Sequence, residues 1–305
     1  MSQYIIIDAH VHLWEKQEGC VNGESIYGIG NGKSNFCGET RQMMPPYLED
    51  NKNTAERLIA NMDYAGVNAC AVTQEYIDGN QNEYLLKVKE KYPDRFRITA
   101  LFEDEGYRGK GFSPNGLGDI DLKDFDGIKI CAGRLKNSDL TAITDVFKKA
   151  QTAGKYISID LADGDEQTES LQKVIDECPD LKIAIGHFGM VTTKGWQKQI
   201  ELAKNKNVFI ESGGLTWLFH KEFYPYPSAI DAILEARDIC GMEKLMWGSD
   251  YPRTMTDITY KSAIRFILET PKMTDEEKAA FLGKNAEKFY GFKNLVPLPE
   301  IDNML

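Results

Sequence analysis

Short apolar runs recur along this chain, each followed by a longer stretch with apolar residues three and four positions apart. The first kind predicts buried strands, the second helices with one face on a core. The leading run, Tyr4-Ile5-Ile6-Ile7, continues into Asp8-Ala9-His10-Val11-His12-Leu13-Trp14. Further strands are predicted over 67–73, 96–102, 127–131, 156–161, 181–187, 208–212 and 244–250. Helices are predicted from Thr54, an N-cap residue type, to Gly66, a stop, and then over 82–91, 138–153, 166–177, 195–204, 228–240, 257–268 and 274–290. Eight strands alternating with helices predict a parallel α/β fold, and the count favours a closed (β/α)8 TIM barrel over 1–292. An open doubly wound sheet would need a glycine-rich phosphate loop after the first strand, and His10-Val11-His12-Leu13-Trp14 is not one.

Three stretches break the rhythm. Glu15 to Asn53 is polar and rich in glycine, and reads as a long loop serving as a lid. A second glycine-rich loop runs from Gly106 to Gly118. The tail 293–305, with Pro297 and Pro299, reads as extended, lying on the body or on the partner subunit of a homodimer.

Composition narrows the function. A formal net charge of −11 argues against a nucleic-acid partner, because phosphate binding needs a basic surface. No apolar run is long enough to span a bilayer, and the first apolar stretch is too short and ends in Asp8, unlike a secretory signal. Cys20, Cys37, Cys70, Cys131, Cys178 and Cys240 are widely spaced without a Cys-x-x-Cys pair, so free thiols in a cytoplasmic protein are expected. The partner expected is a small-molecule substrate.

In such barrels the chemistry gathers at the C-terminal ends of the strands. Of four histidines, His10, His12 and His187 fall at such ends, which random placement would rarely achieve. Strand eight ends in Trp247-Gly248-Ser249-Asp250, strand five in Asp160, and strand four carries Lys129 between two isoleucines. Side chains two apart on a strand share a face, so His10 and His12 suit one divalent ion. Asp250 meets them once the barrel closes, and Asp160 is a candidate fourth ligand. Imidazole and carboxylate donors suit Zn²⁺ or Mn²⁺. His187 is a candidate to hydrogen-bond a polarised carbonyl oxygen or move a proton. Each residue also has a structural reading. Asp250 then caps a loop, His187 bonds to backbone, Lys129 pairs with a barrel carboxylate, and Asp160 caps the next helix. His220, on the strand-seven loop, is a surface residue or a substrate contact.

Asp8-Ala9-His10-Val11-His12, Ile185-Gly186-His187-Phe188-Gly189 and Trp247-Gly248-Ser249-Asp250-Tyr251-Pro252 together resemble the amidohydrolase superfamily, in its amidohydrolase-related branch. That branch includes aminocarboxymuconate-semialdehyde decarboxylase, related aromatic-acid decarboxylases, and lactonases of pyrone and sugar-acid pathways. Weaker matches are 61–67, 92–96 and 282–291, so the ordered set covers nearly the whole chain. The resemblance implies a metal-dependent barrel enzyme with His10, His12 and Asp250 in metal-site positions and His187 as a catalytic histidine. One departure stands out: where the family ends strand five in a metal-binding histidine, this chain has Asp160. Either the metal preference shifts, or the metal is weak or absent, as in some lactonases of the branch.

The function expected is hydrolysis of a small carboxylated lactone or amide by metal-activated water, with Asp250 moving the proton and His187 stabilising the oxyanion. Lys129, Arg134 and Arg253 are candidates for a substrate carboxylate, and Trp14, Trp217 and Tyr251 for the pocket walls. The alternative is a metal-dependent non-oxidative decarboxylase of an aromatic or unsaturated acid. A third reading is a binding protein without catalysis.

Overall fold

A computed structural model describes residues 4–112, 116–301 and 304; part of the second glycine-rich loop and of the tail therefore lies outside the described residues. The first strand, β1 (Ile7–Val11), is buried throughout. After it the chain folds into a small sheet where the sequence pattern predicts a loop. β2 (Glu18–Val21), β3 (Glu24–Gly30), β4 (Lys33–Phe36) and β5 (Glu39–Gln42) form an antiparallel four-stranded meander. Its three turns are Asn22-Gly23, Asn31-Gly32 and Cys37-Gly38, and φ is positive at all six residues. Two successive left-handed residues fit the twist of a tight hairpin, and Asn-Gly is the pair that adopts them most readily. The turn chemistry outweighs the weak hydrophobic alternation: β5 is exposed along its whole length.

The seven remaining strands are β6 (Ala69–Val72), β7 (Phe96–Leu101), β8 (Gly127–Ile130), β9 (Tyr156–Ile159), β10 (Ile183–Ile185), β11 (Val208–Glu211) and β12 (Leu245–Met246). With β1 they make one parallel eight-stranded sheet in the order β1, β6, β7 through β12, with helices between. Three backbone bonds join the last strand to the first: Ala9 N–H to Trp247 O at 2.9 Å, Asp250 N–H to His10 O at 2.9 Å, and His12 N–H to Tyr251 O at 2.8 Å. The expected TIM barrel is the observed fold. β12 is shorter than predicted: beyond Met246 the chain leaves β11 but keeps its backbone bonds to β1 through Trp247, Asp250 and Tyr251.

A cluster inside the barrel brings Ile7, Ala9, Ala71, Tyr156, Ala184, Phe209 and Met246 together with Phe289 and Tyr290 of the last helix. Those two aromatics plug the N-terminal end, and the Tyr290 hydroxyl donates to Ala9 O at 3.2 Å. A second, larger cluster fills the space between strands and helices, where burial of apolar surface contributes most of the stability. Asp8 belongs to that outer side, beside Tyr260 and Cys70. The β1–β6 register slips between Asp8 and Val11. A bulge of this kind re-aims side chains, which is how Ala9 and His10 both come to face the interior.

Helix Ala55–Ala65 begins after Thr54 and ends at a left-handed Gly66, as its pattern predicts, although the Thr54 side chain makes no capping bond. Thr274 does cap, in a reciprocal box with Glu277. The helical run after it widens into a π segment, Ala280–Lys284, where Gly283 passes so close to the Ile5 carbonyl that a Cβ would sit 2.0 Å from its oxygen.

Candidate active site

The bulged end of β1 and the turn after β12 build one side of the barrel mouth. Asp8 Oδ1 accepts from the N–H groups of His10 (3.1 Å) and Ser249 (2.8 Å), and Oδ2 accepts from the Tyr260 hydroxyl at 2.7 Å. Burial pushes the pKa of Asp8 up to about 7 against these bonds. Asp8 is thus a clamp between the strands, not a group facing substrate. Ser249 Oγ accepts from Tyr251 N–H at 3.0 Å and fixes the same turn. Left-handed backbone at a non-glycine residue costs about 1 kcal/mol or more. Asp250 (φ 59°) and His187 (φ 55°) both carry it, and both face the same cavity.

His10, His12 and Asp250 meet there. The two Nε2 atoms are 3.1 Å apart, His12 Nε2 is 3.1 Å from Asp250 Oδ1, and His10 Nε2 is 3.6 Å from it. Each imidazole is oriented from behind. His10 Nδ1 donates to Glu211 Oε1 at 2.5 Å, and His12 Nδ1 donates to Asp78 Oδ2 at 2.6 Å. Those bonds occupy the Nδ1 protons and leave each neutral ring a bare Nε2 lone pair. Asp250 Oδ2 accepts from Trp217 Nε1 at 2.7 Å. Burial alone would lower the pKa of His12, yet the charge of Asp78 and the contacts with Asp250 hold it well above its usual value. The cluster attracts positive charge. Its tight packing needs missing side chains: a Cβ on Gly213 or Gly248 would lie 2.9 and 2.8 Å from Glu211 Oε2, and about as close to His10.

The opposite side carries Lys129, Asp160 and His187. Lys129 is fully buried, and its Nζ lies 2.5 Å from Asp160 Oδ2. Burial would raise the pKa of Asp160, but the Lys129 charge, then His187, hold it well below the usual range. His187 Nδ1 donates to Gly213 O at 2.9 Å, and its Nε2 is 3.7 Å from Asp160 Oδ2. Burial alone would lower the His187 pKa; Asp160 above all pushes it up to about 10. Gly186 makes room, since a Cβ there would stand 2.0 Å from Asp160 Oδ1 and 2.6 Å from Glu211 Oε1.

Both sides open into one cavity of about 460 Å³. His12, Asp160, His187 and Asp250 line it, as do Trp14, Arg134, Trp217 and Arg253 among the residues expected to bind substrate. Lys129 sits behind Asp160, so it reaches the cavity only through that carboxylate. Tyr251 packs on Tyr260, ring centroids 5.6 Å apart, and is not part of the lining. Arg134 Nε donates to Glu75 Oε2 at 2.6 Å, and Arg253 lies over the Trp217 ring at 5.4 Å. Met43, just after β5, is where the meander reaches the cavity. The meander docks on the C-terminal side of the barrel, with Cys20 N–H on Tyr76 O and Asn22 N–H on Gly106 O, both 2.8 Å. His220 is exposed and bonds to Trp217 O.

Sequence reasoning missed Glu211, Asp78 and Glu75. Glu211 had a usable signal, an acidic residue closing the buried run Val208-Phe209-Ile210. Asp78 and Glu75, in the loop after β6, had none.

A family model described as Amidohydrolase matches residues 142–292. Over that stretch, just under half of the chain, the sequence is similar to the amidohydrolase family. Similar solved structures agree on the fold. One is a probable 2-pyrone-4,6-dicarboxylic acid hydrolase from Acinetobacter baumannii with citric acid bound, at TM-score 0.68 and 20% identity over 94% of this chain and 99% of that one. Another is an amidohydrolase from Burkholderia multivorans with bound zinc, at TM-score 0.63 and 15% identity, with 94% and 99% covered. A third is 5-carboxyvanillate decarboxylase from Novosphingobium aromaticivorans complexed with manganese and 4-hydroxy-3-methoxy-5-nitrobenzoic acid, at TM-score 0.51 and 19% identity, with 78% and 80% covered. No curated protein sequence matches.

This amidohydrolase fold has donors that fit a metal. Ligands on a tetrahedron with bonds of about 2.0–2.1 Å stand about 3.3 Å apart. The three acceptor atoms of His10, His12 and Asp250 are separated by 3.1, 3.1 and 3.6 Å. Asp160, expected as a fourth member, groups with His10 and His187 in a second potential set. No helix among the described residues is long and apolar enough to cross a membrane.

Proposed function

We propose that this amidohydrolase hydrolyses a small carboxylated lactone or amide. The observation that supports it best is the opposition of two differently charged groups across one cavity. The Asp250 carboxylate is held ionised beside two imidazoles, and His187 is held as a proton-bearing donor. When bound at His10, His12 and Asp250, a divalent ion, zinc or manganese by donor type, polarises a carbonyl and makes water more acidic.

The chain's own residues then divide the work. Asp250 takes one proton from water as the water oxygen bonds to the carbonyl carbon, and returns it to the leaving oxygen or nitrogen as that bond breaks. Trp217 Nε1 holds Asp250 Oδ2, which keeps Oδ1 toward His12 and fixes the direction of transfer. His187, anchored through Nδ1 on Gly213 O, keeps its Nε2–H for the developing oxyanion. Arg134 and Arg253, on the cavity lining, are suited to a substrate carboxylate. Trp14 and Trp217 give the scissile ring or amide an apolar wall.

The test is a panel of carboxylated lactones and amides, alongside aromatic and unsaturated carboxylic acids, offered to purified protein with product mass read out. Gain of water by a lactone or amide is the expected result. Release of carbon dioxide would replace this reading with decarboxylation, and bound metal without turnover of any compound would replace it with a binding role.

A further inference from the structure

The meander has one covered edge and one open edge. Its first strand, β2, is joined to the loop after β6: Glu18 N–H donates to Asp78 O at 3.3 Å, and Cys20 N–H to Tyr76 O at 2.8 Å. β5 lies at the other end of the strand order with no strand beyond it among the described residues, and Glu39, Thr40, Arg41 and Gln42 are all exposed. The hairpin decides which of them offer free backbone. Cys37-Gly38 is a two-residue turn, so the flanking residues Phe36 and Glu39 bond to each other through N–H and C=O. Bonded pairs alternate along an antiparallel ladder: Ser34 and Arg41 bond again, whereas Asn35 and Thr40 face each other without bonds. The Met43 N–H on Gly32 O, at 2.9 Å, continues the alternation. The N–H and C=O of Thr40 and Gln42 therefore point outward from the sheet.

We propose that β5 is the contact through which two copies of this chain associate, antiparallel about a two-fold axis at Thr40, with Glu39 and Arg41 selecting that register. With Thr40 opposite Thr40 of the second copy, the two residues exchange both backbone bonds, and Gln42 N–H meets Gly38 O of the second copy. The Gly38 N–H is already spent on Asn35 Oδ1 at 2.9 Å. The same register sets Glu39 opposite Arg41 of the second copy, and the reverse, as pairs without backbone bonds, where side chains approach most closely. The charges are held ready for this. Arg41 lies over the Phe36 ring at 4.1 Å, and its Nη2 donates to Glu39 Oε2 of its own strand at 2.8 Å. Association closes a ring of four alternating charges. A slip of two residues either way, or a parallel pairing, would set like charge against like. Because β2 is covered, the pair leaves no open edge of the meander and association stops at two copies. Four strand residues a side fall short of the about 800 Å² per partner of a stable interface, so the dimer depends on concentration, and its exposed charges make it weaken with salt. This contact is independent of the reaction proposed above.

The experiment is sedimentation velocity of the full chain over a wide concentration range, at low and high salt. The unaltered protein should pass from monomer to dimer as concentration rises, with no larger species, and its dissociation constant should rise with salt. Glu39→Lys and Arg41→Glu each place like charges opposite one another twice, and each should raise the dissociation constant at least about tenfold. Equal amounts of these two variants, mixed, should regain the dimer, with one chain of each by native mass spectrometry, because every facing pair is again of opposite charge. Both substitutions in one chain should dimerise as the unaltered protein does. Thr40→Pro removes the outward N–H without changing charge and should weaken the dimer to a similar degree. Circular dichroism should stay native throughout, and the charge variants decide the matter if Thr40→Pro disturbs the meander. A monomer at every concentration overturns the proposal. So does a dimer that the single charge variants leave intact, or a mixture of the two that stays monomeric.

Discussion

The two sides of the barrel mouth use the same residue types and reach opposite electrostatic solutions. On the side of β1 and β12, His10, His12 and Asp250 present three acceptor atoms to one another, so the cluster is complete only with an added proton or metal ion. On the side of β8 to β10, Asp160 and His187 are equally close-set, but Lys129 supplies the charge from within the chain. Residue type alone does not separate a ligand carboxylate from a paired one. What separates them is the neighbour behind: Trp217 Nε1 behind Asp250, a lysine ammonium behind Asp160. The first leaves a carboxylate free to exchange protons, and the second locks one in place.

The largest effect is expected where the open side carries the chemistry. Asp250→Asn keeps the shape and the Trp217 contact through the amide oxygen but removes the proton acceptor. On the panel substrate that turns over, kcat/KM should fall about 10³-fold, within the usual range for losing a general base. Circular dichroism should remain native. A fall of less than tenfold would mean that the open side is not where water is activated, and the comparison would lose its basis.

His187→Gln tests the closed side. It keeps a donor but not the imidazolium, so kcat should fall about 10²-fold with KM nearly unchanged, as for one oxyanion donor. Metal affinity should stay within about threefold, because this side is expected to hold no ion. A large loss of affinity would place His187 among the ligands and merge the two sides into one.

Glu211→Gln and Asp78→Asn sharpen the contrast from behind the ligands. Each removes the charge from the carboxylate that holds the Nδ1 of His10 or His12. Metal affinity should weaken about 10- to 100-fold for each, measured by competition with a chelating dye. Equal affinity in both variants and the unaltered protein would mean that the imidazoles need no orientation.

The parts of this architecture that the sequence foretold are those written in hydrophobic period. Apolar runs such as Ile183-Ala184-Ile185 had to be buried on both faces, and that is the signature of a parallel barrel strand. The histidines were legible because they end such runs. The meander was not, because its strands lie on the surface: β5 buries nothing, and only Gly19 and Cys20 of β2, Ile26 of β3 and Ser34 of β4 are fully buried. Its signal was in Asn22-Gly23 and Asn31-Gly32, two turn pairs that glycine richness disguised as loop. The partners of the histidines were hidden for a different reason. Asp78 is sequence-distant from His12 and in a non-periodic loop, so only the fold brings them together. A pairing of Lys129 with some barrel carboxylate stood among the structural readings of the sequence, but that the carboxylate is Asp160, read there as a ligand or a helix cap, rests on a 2.5 Å contact that spacing cannot supply.

The smallest effect is expected at Met43, the one meander residue on the cavity lining. The meander follows β1 and docks on the loop after β6, so it lies on the open side of the mouth. Met43 contributes apolar surface and no titratable group. Truncating it to alanine removes contact worth roughly 1 kcal/mol at about 25 cal/mol per Å². That corresponds to about a fivefold rise in KM, with kcat unchanged, since the contact is the same in ground and transition states. The pH dependence of kcat should also be unchanged, because neither Asp250 nor His187 loses a neighbour. Steady-state kinetics of Met43→Ala across pH check all three expectations. If kcat falls along with the rise in KM, the meander does more than enclose substrate: it positions the open side, and the division between a covering sheet and a reacting barrel would have to be given up.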